Sequence, residues 1–182
     1  MGSAPRRIVV MGVSGCGKTT VGRLLARELG VPFRDADDLH SAQARAKMAA
    51  GIPLTDADRA PWLERVREVL HESPDGRVVA CSALKERYRQ TLRRDSGDVL
   101  FVHLTAPAEV IRRRLEERRG HYMPAGLLES QLADLERPAA AVEVDVSAAP
   151  SVVVAEVVRR LGDGRLGEGR VGDRNGGLAG AS

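Results

Sequence analysis

An eight-residue loop, Gly12-Val13-Ser14-Gly15-Cys16-Gly17-Lys18-Thr19, lies between the branched apolar run "RIVVM" and the amphipathic stretch "TVGRLLAREL". No other feature constrains the fold as tightly. The loop fits G-x-x-x-x-G-K-[ST], the Walker A pattern. Its glycines let the backbone close into a ring of inward N–H groups, and the helix that follows adds the positive end of its dipole. Such a ring needs a buried strand before it and a helix behind it, and both patterns are present. Lys18 is placed to meet β- and γ-phosphates, and the Thr19 hydroxyl to ligate Mg²⁺. The nucleotide-binding segment therefore runs from Gly12 through Thr20.

The rest of the chain repeats strand and helix in alternation. "RIVVMG", "VPFRDAD", "RVVACSAL", "DVLFVHL" and "AVEVDVS" read as five strands. The first helix begins about Lys18, buries Val21, Leu24, Leu25 and Leu29, and closes at Gly30. "HSAQARAKMAAG" is a helix closed by Gly51, and "LTDADRAPWLERVREVL" carries a Thr55–Asp58 capping pattern, with Pro61 expected to start the main helix. Further helices are expected around Glu86–Arg94, after Pro107, over "AGLLESQLADLE" and over "PSVVVAEVVRRLG". Strands alternating with helices predict an α/β protein: a five-stranded parallel sheet with helices on both faces. Such sheets bind ligands beyond the carboxyl ends of their strands. Gly12–Thr20, Asp35–His40, Cys81–Lys85 and the region after the fourth strand's helix all fall there.

Composition narrows the function. Aromatics are 3% and the net charge is +3, with the arginines scattered, so a nucleic-acid partner is not expected. No apolar run approaches a membrane span, and "MGSAPRR" carries no signal-peptide core, which makes the cytoplasm the expected compartment. Two cysteines, Cys16 and Cys81, lie beside motifs and so could be neighbours, with reduced thiols the expectation. Of 28 basic residues only Lys18, Lys47 and Lys85 are lysine, which suggests that lysine stays where a compact charge is needed and the wide arginine fork will not serve.

A guanine-reading N-K-x-D is absent, and the third strand ends in Cys81-Ser82 rather than in an acid pair. A GTPase switch and a motor ATPase are therefore disfavoured, and a small-molecule kinase is the leading class. The acids come in "RDADDLH" instead. In an extended segment Asp35 and Asp37 would share a side. One of the two can then hold the metal's water shell while the other accepts a hydrogen bond from an acceptor hydroxyl and orients it.

At this point the chain resembles the small P-loop gluconokinases, relatives of shikimate kinase. The resemblance spans about residues 7–162 and rests on "MGVSGCGKTT", "DADDLH", "KMAAGIPLTDADRAPWL", "CSALKERYR" and "RRGHYM", in order. It implies a three-layer P-loop NTPase fold and Mg²⁺- and ATP-dependent phosphorylation of D-gluconate at its 6-hydroxyl. Residues 1–162 would be one kinase domain, with a lid about 118–126, followed by a disordered Gly-rich tail over 163–182. A homodimer is the family's usual assembly. The catalytic residues would be Lys18, Asp37 and Arg118, the last reaching the nucleotide from the lid. His40, Arg59, Lys85, Arg89 and His121 would join Asp37 around the substrate, and Thr19 and Asp35 would serve the metal. Lys85 and Arg89, four apart, should share one helix face. Trp62 is read as core. Cys16, where serine is common, suggests sensitivity to oxidation. Another small-acid kinase such as shikimate kinase, or a nucleotide-dependent binding module, are the alternatives.

Overall fold

The computed structural model describes residues 6–94, 98–117 and 125–162. Its elements run β1 (Arg6–Met11), α1 (Lys18–Leu29), β2 (Phe33–Asp35), a 3-10 turn (Ala36–Leu39), α2 (Ala42–Ala49), α3 (Asp56–His71), β3 (Gly76–Ala80) and α4 (Glu86–Arg93). β4 (Val99–Thr105), α5 (Ala108–Glu116), α6 (Ala125–Asp134), β5 (Val142–Asp145) and α7 (Pro150–Gly162) complete it. The five strands form one sheet in the order β2-β3-β1-β4-β5. Every neighbouring pair is parallel. The three-layer α/β expectation holds. The proposed lid about 118–126 falls mostly, and the tail over 163–182 wholly, outside the described residues.

Alternation along the strands builds two cores. Ile8, Val10, Val78, Val102 and Leu104 face α1 and α7, where Val21, Leu25, Val153 and Val157 close the layer. Val9, Met11, Val79 and Phe101 face α3 and α4, against Trp62, Leu63, Val66 and Leu92. Both faces of the central strands are thus apolar, as a buried parallel sheet requires. Cys16 belongs to the first core and Cys81 to the second, so they are free thiols in separate layers and not neighbours. Leu24, expected on the buried face of α1, is exposed, because the stripe that meets the sheet is Val21–Leu25–Ala26.

α3 starts earlier than expected. The Asp58 N–H donates to Thr55 Oγ1 at 3.2 Å while the Thr55 N–H donates to Asp58 Oδ2 at 2.9 Å, a reciprocal capping box. Pro61 therefore sits inside the helix and does not begin it. Lys47 Nζ reaches Asp58 Oδ1 at 2.7 Å, so the second of the three lysines ties α2 to that cap. These contacts hold the Asp58 carboxyl down at about 2, the Lys47 hydrogen bond contributing most. Thr55→Ala should lower stability by ~1 kcal/mol, or about 2–4 °C in a thermal melt, by removing the side chain that satisfies the Asp58 N–H.

Candidate functional site

The site is assembled where β1, β2 and β3 end. Gly12 opens the phosphate loop at φ 141, and a Cβ there would lie 2.7 Å from the Leu104 carbonyl oxygen. Only glycine lets the loop pass that close to β4. Gly17, at φ 93, turns the chain into α1 as its N-cap. The loop's first N–H, from Gly12, donates to the Ser82 carbonyl at 3.3 Å, which joins it to the β3–α4 loop.

Lys18 Nζ donates to the Val13 carbonyl at 3.1 Å, so the lysine head folds back over the loop. Thr19 donates its hydroxyl to Asp35 Oδ2 at 2.6 Å, which brings the ends of β1 and β2 together. Thr20 is exposed beside it. Val13 and Cys16 are buried under the loop, with Ser14 and Gly17 partly open. Burial pushes the Cys16 thiol up from its ordinary value, and the neighbouring Lys18 only partly offsets this. A buried, protonated thiol is a poor target for oxidation, which corrects the expected sensitivity.

The acidic segment is not extended. Asp35 caps a 3-10 turn by accepting the Asp37 N–H at 3.1 Å on Oδ1, so the two carboxylates are set by a turn and not by strand alternation. Three side chains anchor that turn. Trp62 Nε1 donates to the Ala36 carbonyl at 2.7 Å, Arg45 to that of Asp38 at 2.6 Å and Arg65 to that of Leu39 at 3.0 Å. Trp62 is core, as expected, and His40 stacks on it with ring centroids 4.5 Å apart.

His40 caps the turn at its far end. Its N–H closes the turn onto the Asp37 carbonyl, while its Nε2 stands 3.9 Å from Asp37 Oδ1. Burial lowers its pKa, with Asp37 pulling the other way and Arg59, Arg45 and Arg65 adding to the decrease. The ring is neutral at pH 7. Asp37 moves upward instead. The protein around the cleft displaces water from it, the Asp35 charge pushes in the same direction, and Lys18 pulls back. Since the side chain is 86% exposed, the Asp35 charge is the firmer of the two causes.

Arg59 leans on Tyr88, with its guanidinium 5.7 Å from the ring centroid, and Tyr88 donates its hydroxyl to Asp56. Lys85 is the N-cap of α4, and its Nζ pairs with Asp134 on α6 at 3.1 Å. The shared helix face expected for Lys85 and Arg89 is therefore not formed. Arg89 is 1% exposed, donates to the Ala83 and Leu84 carbonyls at 2.8 and 2.9 Å, and pairs with Glu86. Its guanidinium holds the β3–α4 loop, including Ala83 at φ 44, and offers no open side to a substrate. Arg118 and His121 lie outside the described residues.

The Thr19 hydroxyl and Asp35 carboxylate are hard oxygen donors facing one another. Mg²⁺ is held by one or two such groups, with phosphate oxygens and water completing its shell, so the residues fit that ion. Among the described residues no group of three His, Cys, Asp or Glu could hold a metal alone.

The family model for shikimate kinase matches residues 14–161. A gluconokinase from Gluconobacter oxydans (strain 621H) is 47% identical over 165 residues, spanning 87% of this chain and 93% of that relative. The chain belongs to the gluconokinase family. A gluconokinase crystal structure from Sinorhizobium meliloti 1021 superposes with a TM-score of 0.81 at 44% identity, covering 87% of this chain and 93% of that one. A shikimate kinase from Aquifex aeolicus, at 21% identity and TM-score 0.57, shares the fold.

Within this gluconokinase-family site, sequence reasoning missed Gln131. Its Oε1 accepts the Ser14 N–H at 2.7 Å and its Nε2 donates to Ser14 Oγ at 3.1 Å. One signal pointed to it: Gln131 stands three residues after the buried Leu128, a polar residue on the inward stripe of α6. Tyr88, which orients Arg59, was missed as well.

Proposed function

We infer that the chain transfers the terminal phosphoryl group of ATP to the 6-hydroxyl of D-gluconate, giving 6-phospho-D-gluconate. The observation that carries this reading is the 2.6 Å contact of Thr19 with Asp35, which sets the acidic turn against the phosphate loop in a chain of this family. The loop N–H groups and Lys18 would bind the phosphates. Mg²⁺, held through Thr19 and Asp35, would neutralise phosphate charge when bound. Asp37, in the turn beside Asp35, accepts the hydrogen bond of the acceptor hydroxyl, orients it in line and takes its proton. Its neighbour His40, neutral on Trp62, offers a sugar hydroxyl its Nε2, the ring nitrogen on the Asp37 side, while Nδ1 is buried. Arg59 and Lys85 supply cations for the acceptor's carboxylate. Arg118 and His121 would arrive from the lid, Arg118 toward the transferring phosphoryl and His121 toward the substrate.

Among the described residues no helix is long and apolar enough to cross a membrane. A cytoplasmic setting and a homodimer belong to the same proposal.

The test is an ADP-release assay with Mg-ATP and four acceptors. D-gluconate should stimulate turnover far above glucose, shikimate and adenylate. Glucose lacks the carboxylate and leaves the Arg59 and Lys85 side without an anion, a loss on the order of 2–5 kcal/mol, or at least about tenfold in rate at low substrate. Shikimate keeps the carboxylate on a rigid ring whose reactive hydroxyl lies nearer to it than the terminal hydroxyl of an extended six-carbon chain. A preference for shikimate would reassign the acceptor, and no stimulation by any of the four would leave a nucleotide-binding module.

A further inference from the structure

α6 is bonded at three heights to the two loops that flank the reaction. Gln131 holds Ser14, the third residue of the phosphate loop, by two hydrogen bonds. One turn on, Asp134 pairs with Lys85 at 3.1 Å. Just past the helix, Glu136 accepts the Glu86 N–H at 2.6 Å on Oε2 and donates its own N–H to the Leu84 carbonyl at 2.9 Å. Beneath them Leu128 packs with Val13 from the phosphate loop, Leu84 from the β3–α4 loop and Ile111 from α5. The same short helix thus touches both the phosphate side and the Lys85 side of the site. The two loops are also linked directly by the longer Gly12–Ser82 hydrogen bond of 3.3 Å.

We propose that Gln131 is a positioning residue: its paired hydrogen bonds to Ser14 seat α6 on the phosphate loop and thereby hold that loop in register with the loop that carries Lys85. A carboxamide suits this place. It accepts from a backbone N–H and donates to a hydroxyl at once, with no charge beside the phosphates. A carboxylate would keep the acceptor but repel the nucleotide, and an apolar side chain would leave the Ser14 N–H without its partner. In-line transfer depends on the spacing of donor and acceptor, so the effect belongs mainly to turnover and not to nucleotide affinity.

The kinetic readout rests on the gluconate-kinase reading; amide exchange does not. In Gln131→Met, kcat with gluconate should fall roughly 10- to 100-fold, the scale of a displacement of about 1 Å or less. Affinity for a fluorescent ATP analogue should stay within about threefold, as expected when ground-state binding is untouched. In Gln131→Glu, the KM for ATP should rise and recover in part with added salt, because the new charge would stand beside the loop. Hydrogen exchange should quicken at Ser14 and also at Glu86 in Gln131→Met, since loosening α6 frees both loops. Unchanged kcat in Gln131→Met, or exchange at Glu86 that stays at the wild-type rate, overturns the proposal. Should wild type fail to phosphorylate gluconate, the functional reading falls and the exchange at Glu86 still decides the role of Gln131.

Discussion

Lys18→Ala should reduce gluconate-dependent ADP release by roughly 10²–10³-fold or more while leaving the fold intact, the cost of removing a positioned charge from a developing phosphoryl transition state. Lys18 is the first residue of α1, and among the described residues its Nζ bonds only the loop's own Val13 carbonyl. No core contact goes with it, and alanine is the better helix former. Far-ultraviolet circular dichroism and the melting temperature should match wild type. Lys18→Arg should not rescue the activity, because a wide planar fork cannot occupy the place of a compact ammonium inside the ring of N–H groups. A second consequence follows from charge. Lys18 lowers the Asp37 pKa, so its removal lets Asp37 rise further. Whatever activity Lys18→Ala retains should fall off at a higher pH on the acid side than that of wild type. Near-normal turnover by a folded Lys18→Ala protein would overturn the phosphate-loop reading itself.

The parts of the site that were legible in the sequence are those built from neighbours in the chain. The phosphate loop is eight consecutive residues whose glycines and lysine each have a local reason, so its position between β1 and α1 could be read directly. Asp35 ends β2 against the phosphate loop, as the strand pattern suggested, but strand alternation does not set the Asp35–Asp37 geometry. Strand alternation gave way to a turn because the Asp35 side chain captures the Asp37 N–H, a choice between two local hydrogen-bonding patterns that spacing alone does not decide. Lys85 and Arg89 show the same limit of spacing. An i, i+4 pair shares a face only if both residues are helical, and Lys85 is the N-cap, still extended. Arg89 is then drawn inward by two carbonyls of the loop before the helix. Gln131 and Ser14 are 117 residues apart, and their contact depends on how α6 docks across the sheet's end. Such a pairing is a product of tertiary packing, visible beforehand only as a polar residue on an apolar stripe.

Asp37→Asn should lose turnover by about 10²–10³-fold, within the range expected for a general base that also orients its substrate, while ATP affinity changes by no more than about threefold. The amide oxygen still accepts a hydrogen bond from the acceptor hydroxyl, so the KM for gluconate should rise only modestly. What it cannot do is take the proton. The pH profile separates this from damage to the fold. In wild type, kcat/KM should fall on the acid side with an inflection above the ordinary carboxylate range, because crowding in the cleft and the Asp35 charge both favour protonated Asp37. In Asp37→Asn that limb should disappear, leaving a low and flatter profile. Stability should move the other way. A carboxyl whose folded pKa is raised binds its proton more tightly in the folded state, so folding gains from it below its unfolded pKa and loses that gain as pH rises through the folded pKa. At pH 7 the ionised Asp37 is therefore a cost, and a neutral asparagine should melt at the same temperature as wild type or slightly above. Thr19 and Asp35 keep their own 2.6 Å contact in the variant, so nucleotide binding has no reason to fail. If ATP binding collapsed together with turnover, Asp37 would be a metal- or nucleotide-holding group, and the proton would have to leave by another acceptor.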